Sequence, residues 1–208
     1  MEKSSRTQLI LPLFVCLLFA ALSLRTGDIL RRPASESFLE EATGILFPSR
    51  VDTFEKVMVR VNPDLRTGTD IAYENESGAL ADVYVYRPSD GPLTEEAFLK
   101  HARETLSRIA NMAARSKIIR NVTQLHGEPF PFRDGVCAGI YRIKLEKEDL
   151  ISRVYLLRRG DRIIKIRVTV PIDPGSSGIP ADPFGTEIMK LAGAGQPPAP
   201  AHHSTTGE

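Results

Sequence analysis

The chain has 208 residues, 42% apolar and 25% charged, a balance that excludes wholesale disorder and a multi-span membrane protein and requires a packed core. Lys and Arg number 27 against 26 Asp and Glu, so no global charge points to nucleic acid.

Lys3 and Arg6 precede an uncharged, mostly apolar run from Leu9 to Leu24. The run is short of the about 20 residues of a bilayer span and closes on Ala20-Ala21-Leu22-Ser23. Residues 1–23 are therefore read as a signal peptide cleaved after Ser23, and the mature protein as periplasmic or secreted. Two alternatives stay open. Arg25, Arg31 and Arg32, just past the run, suit an uncleaved inner-membrane anchor through residues 9–24, the one case in which membrane association is expected. Cys16 offers a lipidation site, although behind the bulky Val15. Cys137 is the one cysteine beyond the leader, so no internal disulfide is expected, and its apolar setting reads as an inert buried thiol.

Residues 24–43 read as a tether or short helix, and a single domain is expected over 44–192. Phe54 to Val61 alternates, which predicts a strand with Val57, Val59 and Val61 on one side and Lys56, Met58 and Arg60 on the other. Thr69 to Glu74 and Leu80 to Arg87 are further β-rich runs, divided by the polar stretch Asn75 to Gly78. Thr94 can cap a helix that Glu95 and Glu96 favour electrostatically, and Phe98, Ala102, Leu106, Ile109 and Ala113 carry its apolar stripe to about Ser116.

Strands are expected again at Asn121–His126, Val136–Glu146, Leu150–Arg158 and Arg162–Pro171. Gly160-Asp161 is a two-residue hairpin signal, and a tight turn there sets Leu157 opposite Ile164, Tyr155 opposite Ile166, Arg153 opposite Val168 and Ile151 opposite Val170. The other face carries Val154, Leu156 and Ile163 beside Lys165, Arg167 and Thr169, and is expected to be half covered by a last short helix, Pro183 to Ala192. Residues 193–208 hold only small, polar and Pro residues and read as a disordered tail. Strand meander, long helix, strand meander and short helix, without βαβ repetition, predict an α+β fold: a mainly antiparallel sheet with one long helix and a short C-terminal helix packed on it.

This order resembles the PsbP-like α/β/α sandwich, through Ala81-Asp-Val-Tyr-Val-Tyr86 before the helix and the run Arg153 to Pro171 after it. The resemblance covers about Gly44 to Gly193, and implies a small extracytoplasmic accessory or assembly protein without catalysis. It carries no functional residues across.

No motif supplies chemistry. Asp173 to Gly178 lacks the Gly-x-Ser-x-Gly spacing of a nucleophile elbow, and Arg159-Gly160-Asp161 is explained by the hairpin. His101 and His126 have no third ligand at metal-binding spacing, and the adjacent His202 and His203 lie in the tail. Glu146 to Asp149 reads as a solvated turn, and the Asn75 and Asn121 sequons as chance matches. A local basic bias remains, six basic residues against Asp161 between Arg153 and Arg167. Arg153, Arg158, Lys165 and Arg167 are the candidate surface for an anionic partner, the competing reading being protection of strand edges. With Lys165 and Arg167 half exposed, their reversal to Glu is expected to leave thermal unfolding nearly unchanged.

The sequence therefore predicts a non-catalytic exported accessory or binding protein of the cell envelope. It is expected to act without cofactor or metal on an unknown protein or anionic envelope component. The alternative is an envelope hydrolase whose active-site residues are scattered along the chain.

Overall fold

A computed structural model describes residues 30–31, 35–112, 114, 116–125, 135–173 and 178–193. The expected leader, the tail beyond Gly193, His126 and residues 174–177 lie outside the described residues. Within them the chain is α+β, a mainly antiparallel sheet with one long and one short helix.

The strands in chain order are β1 (Leu30–Arg31), β2 (Phe38–Glu40), β3 (Ile45–Phe47), β4 (Arg50–Val51), β5 (Phe54–Val61), β6 (Thr69–Glu74), β7 (Leu80–Tyr86), β8 (Asn121–Gln124), β9 (Val136–Lys144), β10 (Asp149–Arg159) and β11 (Arg162–Ile172). The helices are α1 (Glu95–Ala110), between β7 and β8, and α2 (Pro183–Leu191), after β11. The main sheet runs β1-β5-β6-β7-β11-β10-β9-β8, with β4 beside β5, and β2 and β3 form a separate hairpin. Two meanders thus meet where β7 pairs with β11.

The β10–β11 hairpin has the register derived from its turn, Leu157 opposite Ile164, Tyr155 opposite Ile166, Arg153 opposite Val168 and Ile151 opposite Val170. Gly160 takes φ of +59°, a conformation glycine reaches without Cβ strain, as the first central residue of a type II′ turn requires. Its residues feed both cores. Ile164, Ile166 and Val168 join Val83, Val85, Phe184 and Ile188 on the α2 side, while Ile163, Leu156 and Val154 join Phe98, Ala102 and Leu106 on the α1 side.

The coverage differs from the sequence expectation. The short helix covers the apolar face, and the long helix covers Val154, Leu156 and Ile163. Phe184 explains the first, since it sits among Phe54 and Tyr73 at ring-centroid distances of 5.0 and 5.1 Å. Asp182 caps α2 by accepting from Gly185 N at 2.8 Å, and also accepts from Tyr155 Oη at 2.8 Å. Gly185 makes room at this crossing, because a Cβ would lie 2.5 Å from Asp182 Oδ2 and 2.7 Å from Tyr155 Cε2 and would have to displace the cap or the ring.

Three further expectations need correction. The segment expected as a tether contains β2, whose Phe38 enters the α2-side core beside Phe47 and Ile45. A β-bulge between Lys56 and Met58 breaks the alternation of β5. Val57 is left 51% exposed, whereas Lys56 lies opposite Tyr73, is buried, and donates its Nζ to the Glu36 carbonyl. Helix α1 starts at its Thr94 cap but ends at Ala110, short of Ser116. Asn111 leaves helical geometry there, and its side-chain amide donates at 2.9 Å to the Ser107 carbonyl, which also accepts from the Asn111 backbone N–H at 3.1 Å.

Ile166 is wholly buried in the larger core. Ile166→Ala should lower unfolding free energy by about 2 to 5 kcal/mol in chemical denaturation, and an effect within experimental error would contradict this packing.

Candidate functional site

On the α1 side the sheet divides. Helix α1 packs over β8, β9 and β10, and its cluster ends toward β7 and β11 at Tyr86 and Ile163. Farther along the same face, pairing aligns Arg60, Asp70, Tyr84 and Lys165 in one cross-strand row, and Ala72, Asp82 and Arg167 in the next. Alternation forces this company. Val83, Val85, Ile164 and Ile166 point to the α2 side, so Asp82, Tyr84, Lys165 and Arg167 must share the other.

The charges are recessed. Arg167 Nη2 donates to Asp82 Oδ2 at 2.6 Å, with side chains 15% and 10% exposed. Arg60 Nη1 stands 3.9 Å from Asp70 Oδ2, with side chains 22% and 19% exposed. Lys165 Nζ lies 4.0 Å from the centroid of the Tyr84 ring, a cation–π arrangement, and no carboxylate among the described residues is within ion-pair distance of it. Arg60 Nε and Asp70 Oδ1 are buried without a hydrogen-bond partner.

Within these two rows three cations face two carboxylates in a poorly hydrated place, and burial shifts two of the groups. Burial, and then the neighbouring Asp82, push Asp70 up to about 6, against the pull of Arg60, Lys165 and Arg167. Burial, and then Arg167, bring Lys165 down to about 8, against Asp82 and Asp70. Both groups remain charged at neutral pH, each against its surroundings. Shifts of this kind from burial plus specific charges are enriched at functional sites.

Beside the lattice, His101 of α1 meets Tyr86 across 2.8 Å between Nε2 and Oη. Burial and then Arg108 lower the His101 pKa, which keeps the ring neutral at pH 7. Cys137 lies buried in the α1-side core, its thiol raised by burial, the environment of an unreactive cysteine. Among the described residues no three His, Cys, Asp or Glu side chains converge as a metal site, and no helix is long and apolar enough to cross a membrane.

The four basic residues singled out by sequence do not form one surface. Lys165 and Arg167 are neighbours on β11. Arg158 is exposed at the end of β10, where Nη1 donates to the Leu93 carbonyl at 3.3 Å. Arg153 is 5% exposed and lies opposite Val168, on the α2 side. The sequence reading missed Arg60, Asp70, Asp82 and Tyr84. The signal available was the inward alternation of Ala81, Val83 and Val85, which sends Asp82 and Tyr84 to the opposite face. No protein-family model matches the chain, and no curated protein or solved structure is significantly similar to it.

Two outcomes follow from the lattice. A carboxyl held above its unfolded value binds its proton more tightly in the native state, so stability falls as pH rises from about 4 to about 6 and stays low above that. With Asp70 near 6 rather than 3.8, the loss is on the order of 3 kcal/mol. Asp70→Asn should therefore be at least as stable as the native chain at pH 7 and lose this slope in denaturant titrations at pH 4 and 7. The double reversal of Lys165 and Arg167 to Glu cannot be neutral, contrary to the sequence expectation, because it breaks the recessed Arg167–Asp82 pair and gathers four carboxylates. It should cost about 3 to 5 kcal/mol or abolish folding, which circular dichroism on heating would register.

Proposed function

We propose that this protein is a non-catalytic exported accessory protein of the cell envelope, which binds an anionic partner through the charged half of its α1-side sheet face. The observation that carries the reading is the excess of cation there: Arg60, Lys165 and Arg167 against Asp70 and Asp82, with Lys165 resting on a ring rather than a carboxylate. Such an arrangement attracts negative groups and gains by meeting one. The apolar run Leu9–Leu24 behind Lys3 and Arg6 supports export to the periplasm or beyond, and the resemblance to PsbP-like sandwiches supports an accessory role.

The test is co-sedimentation of the full chain with isolated envelopes at about 0.05 M and about 0.5 M salt, where screening differs several-fold in range. Sedimentation at low salt, release at high salt and weakening in Lys165→Gln are expected. A chain that stays in the supernatant at both salts, or sediments regardless of salt and substitution, would overturn the reading. Export is checked by cell fractionation with N-terminal sequencing, the expected mature start being near Leu24.

A further inference from the structure

We propose that Lys165 and Arg167 form an oxyanion-binding subsite, taking a projecting carboxylate or phosphate group beside the Tyr84 ring. This inference rests on the anionic-partner reading and names the chemistry that the partner must present. Residues two apart on a strand face the same way with backbones about 6.6 Å apart, so Lys165, over the Tyr84 ring, and Arg167, on Asp82, emerge in adjacent cross-strand rows of one face. Their mutual repulsion is met only in part within the protein, because Asp82 is committed to Arg167 at 2.6 Å and Asp70 to the neighbourhood of Arg60 at 3.9 Å.

Recession decides the shape of the ligand. With the side chains of Arg167 and Asp82 no more than 15% exposed, a flat anionic surface reaches few of the charged atoms, whereas a small group standing out from its parent molecule can reach them. Charge-assisted bonds to a cation pair of this kind are the strong ones, and they strengthen where water is scarce.

The site also predicts its own pH dependence. The groups facing Lys165 are Arg60 on β5, Asp70 on β6, Asp82 and Tyr84 on β7, Arg167 on β11 and His101 on α1, which stays neutral above its lowered pKa. An entering anion is opposed by ionised Asp70 and favoured by charged Lys165. Affinity should therefore fall in two steps as pH rises, the first near 6 and the second above about 8, where each further unit removes about tenfold of the cationic lysine. Anion binding raises both pKa values, so the protein takes up protons on binding.

Isothermal titration of the full-length chain with inorganic phosphate and, separately, with acetate tests this, in two buffers of different ionisation enthalpy and at pH 5.5, 7 and 9. Saturable binding of either anion is expected. For acetate, largely ionised throughout, it weakens from pH 5.5 to 9 with proton uptake. Phosphate itself gains charge over this range, so its pH dependence is read as the difference between the native chain and Lys165→Arg or Asp70→Asn. Phosphate alone would assign a phosphorylated partner, and acetate alone an acidic peptide or polymer. Lys165→Met keeps the stem over Tyr84, removes the charge and should abolish binding. Lys165→Arg should retain binding and erase the step above pH 8, an outcome that a merely structural lysine would not produce. Asp70→Asn should erase the step near 6. Binding of neither anion, or binding indifferent to pH and to Lys165→Met, would overturn the subsite. Salt-sensitive envelope binding that still weakens in Lys165→Gln after such a result would leave the broader reading standing and show that the partner meets the charged half without a projecting oxyanion.

Discussion

The pairing of β7 with β11 is the constraint on which the rest of the structure depends. It joins the meander before α1 to the meander after it, with Ile164 opposite Val85, Ile166 opposite Val83 and Val168 opposite Ala81. These residues, inward on the α2 side, are among the most buried in the chain. Because side chains alternate strictly along a strand, fixing them on one face leaves no freedom for their neighbours. Asp82, Tyr84, Lys165 and Arg167 are brought together by the same contacts that close the core. The lattice is therefore long-range in sequence, yet as rigidly placed as the core itself.

Such a lattice is held at a cost. Replacing recessed ion pairs by apolar residues of similar volume is often neutral or stabilising, so their presence is weak evidence for stability. Here the pairing is also incomplete, since Arg60 Nε and Asp70 Oδ1 are buried unmet, and Lys165 has an aromatic face where a carboxylate would serve it better. The neighbouring α1-side surface shows the cheaper solution, with Ile163, Leu156 and Val154 packed on Phe98, Ala102 and Leu106. The same sheet face thus carries a sealed half and a charged half. That contrast points to the charged half as the place where the fold gives up stability for something other than folding.

How far this was legible in the sequence follows from the range of each interaction. The hairpin register was fully readable, because Gly160-Asp161 is local and sets every pair behind it. The cap of α1 was readable for the same reason, Thr94 Oγ1 accepting from Ala97 N at 3.2 Å. The β5 bulge was not, because the valine period through Val57, Val59 and Val61 conceals the extra residue, and only pairing with β6 shows that Lys56 turns inward. Strand β2 was hidden by brevity: Phe38 has no periodic context, and its burial depends on the facing Phe47. The acidic half of the candidate site was missed because Asp82 meets Arg167 across 85 positions of sequence.

The basic run between Arg153 and Arg167 shows why composition alone pointed to the right strand but the wrong set of residues. Arg158 and Arg159, adjacent and so on opposite faces, hold the two helices: one donates to the Leu93 carbonyl ahead of α1, the other to the Ala192 carbonyl at the end of α2, at 3.3 and 3.0 Å. Arg162 stands 3.5 Å from Asp161, which also meets Arg87 at 3.1 Å. Arg153 is buried opposite Val168. Each of the three helix and turn contacts satisfies a carbonyl or carboxylate already present in the fold, and so accounts for its arginine without a partner molecule. Lys165 has no such anchor among the described residues, and Arg167 is bound to a carboxylate that two cations must share. Strand-edge protection does not explain them either, because β11 lies inside the sheet between β7 and β10. The local charge excess therefore resolves into three arginines accounted for by their contacts, the buried Arg153 on the α2 side, and two cations of β11 on the α1 side, of which Lys165 rests on a ring rather than a carboxylate.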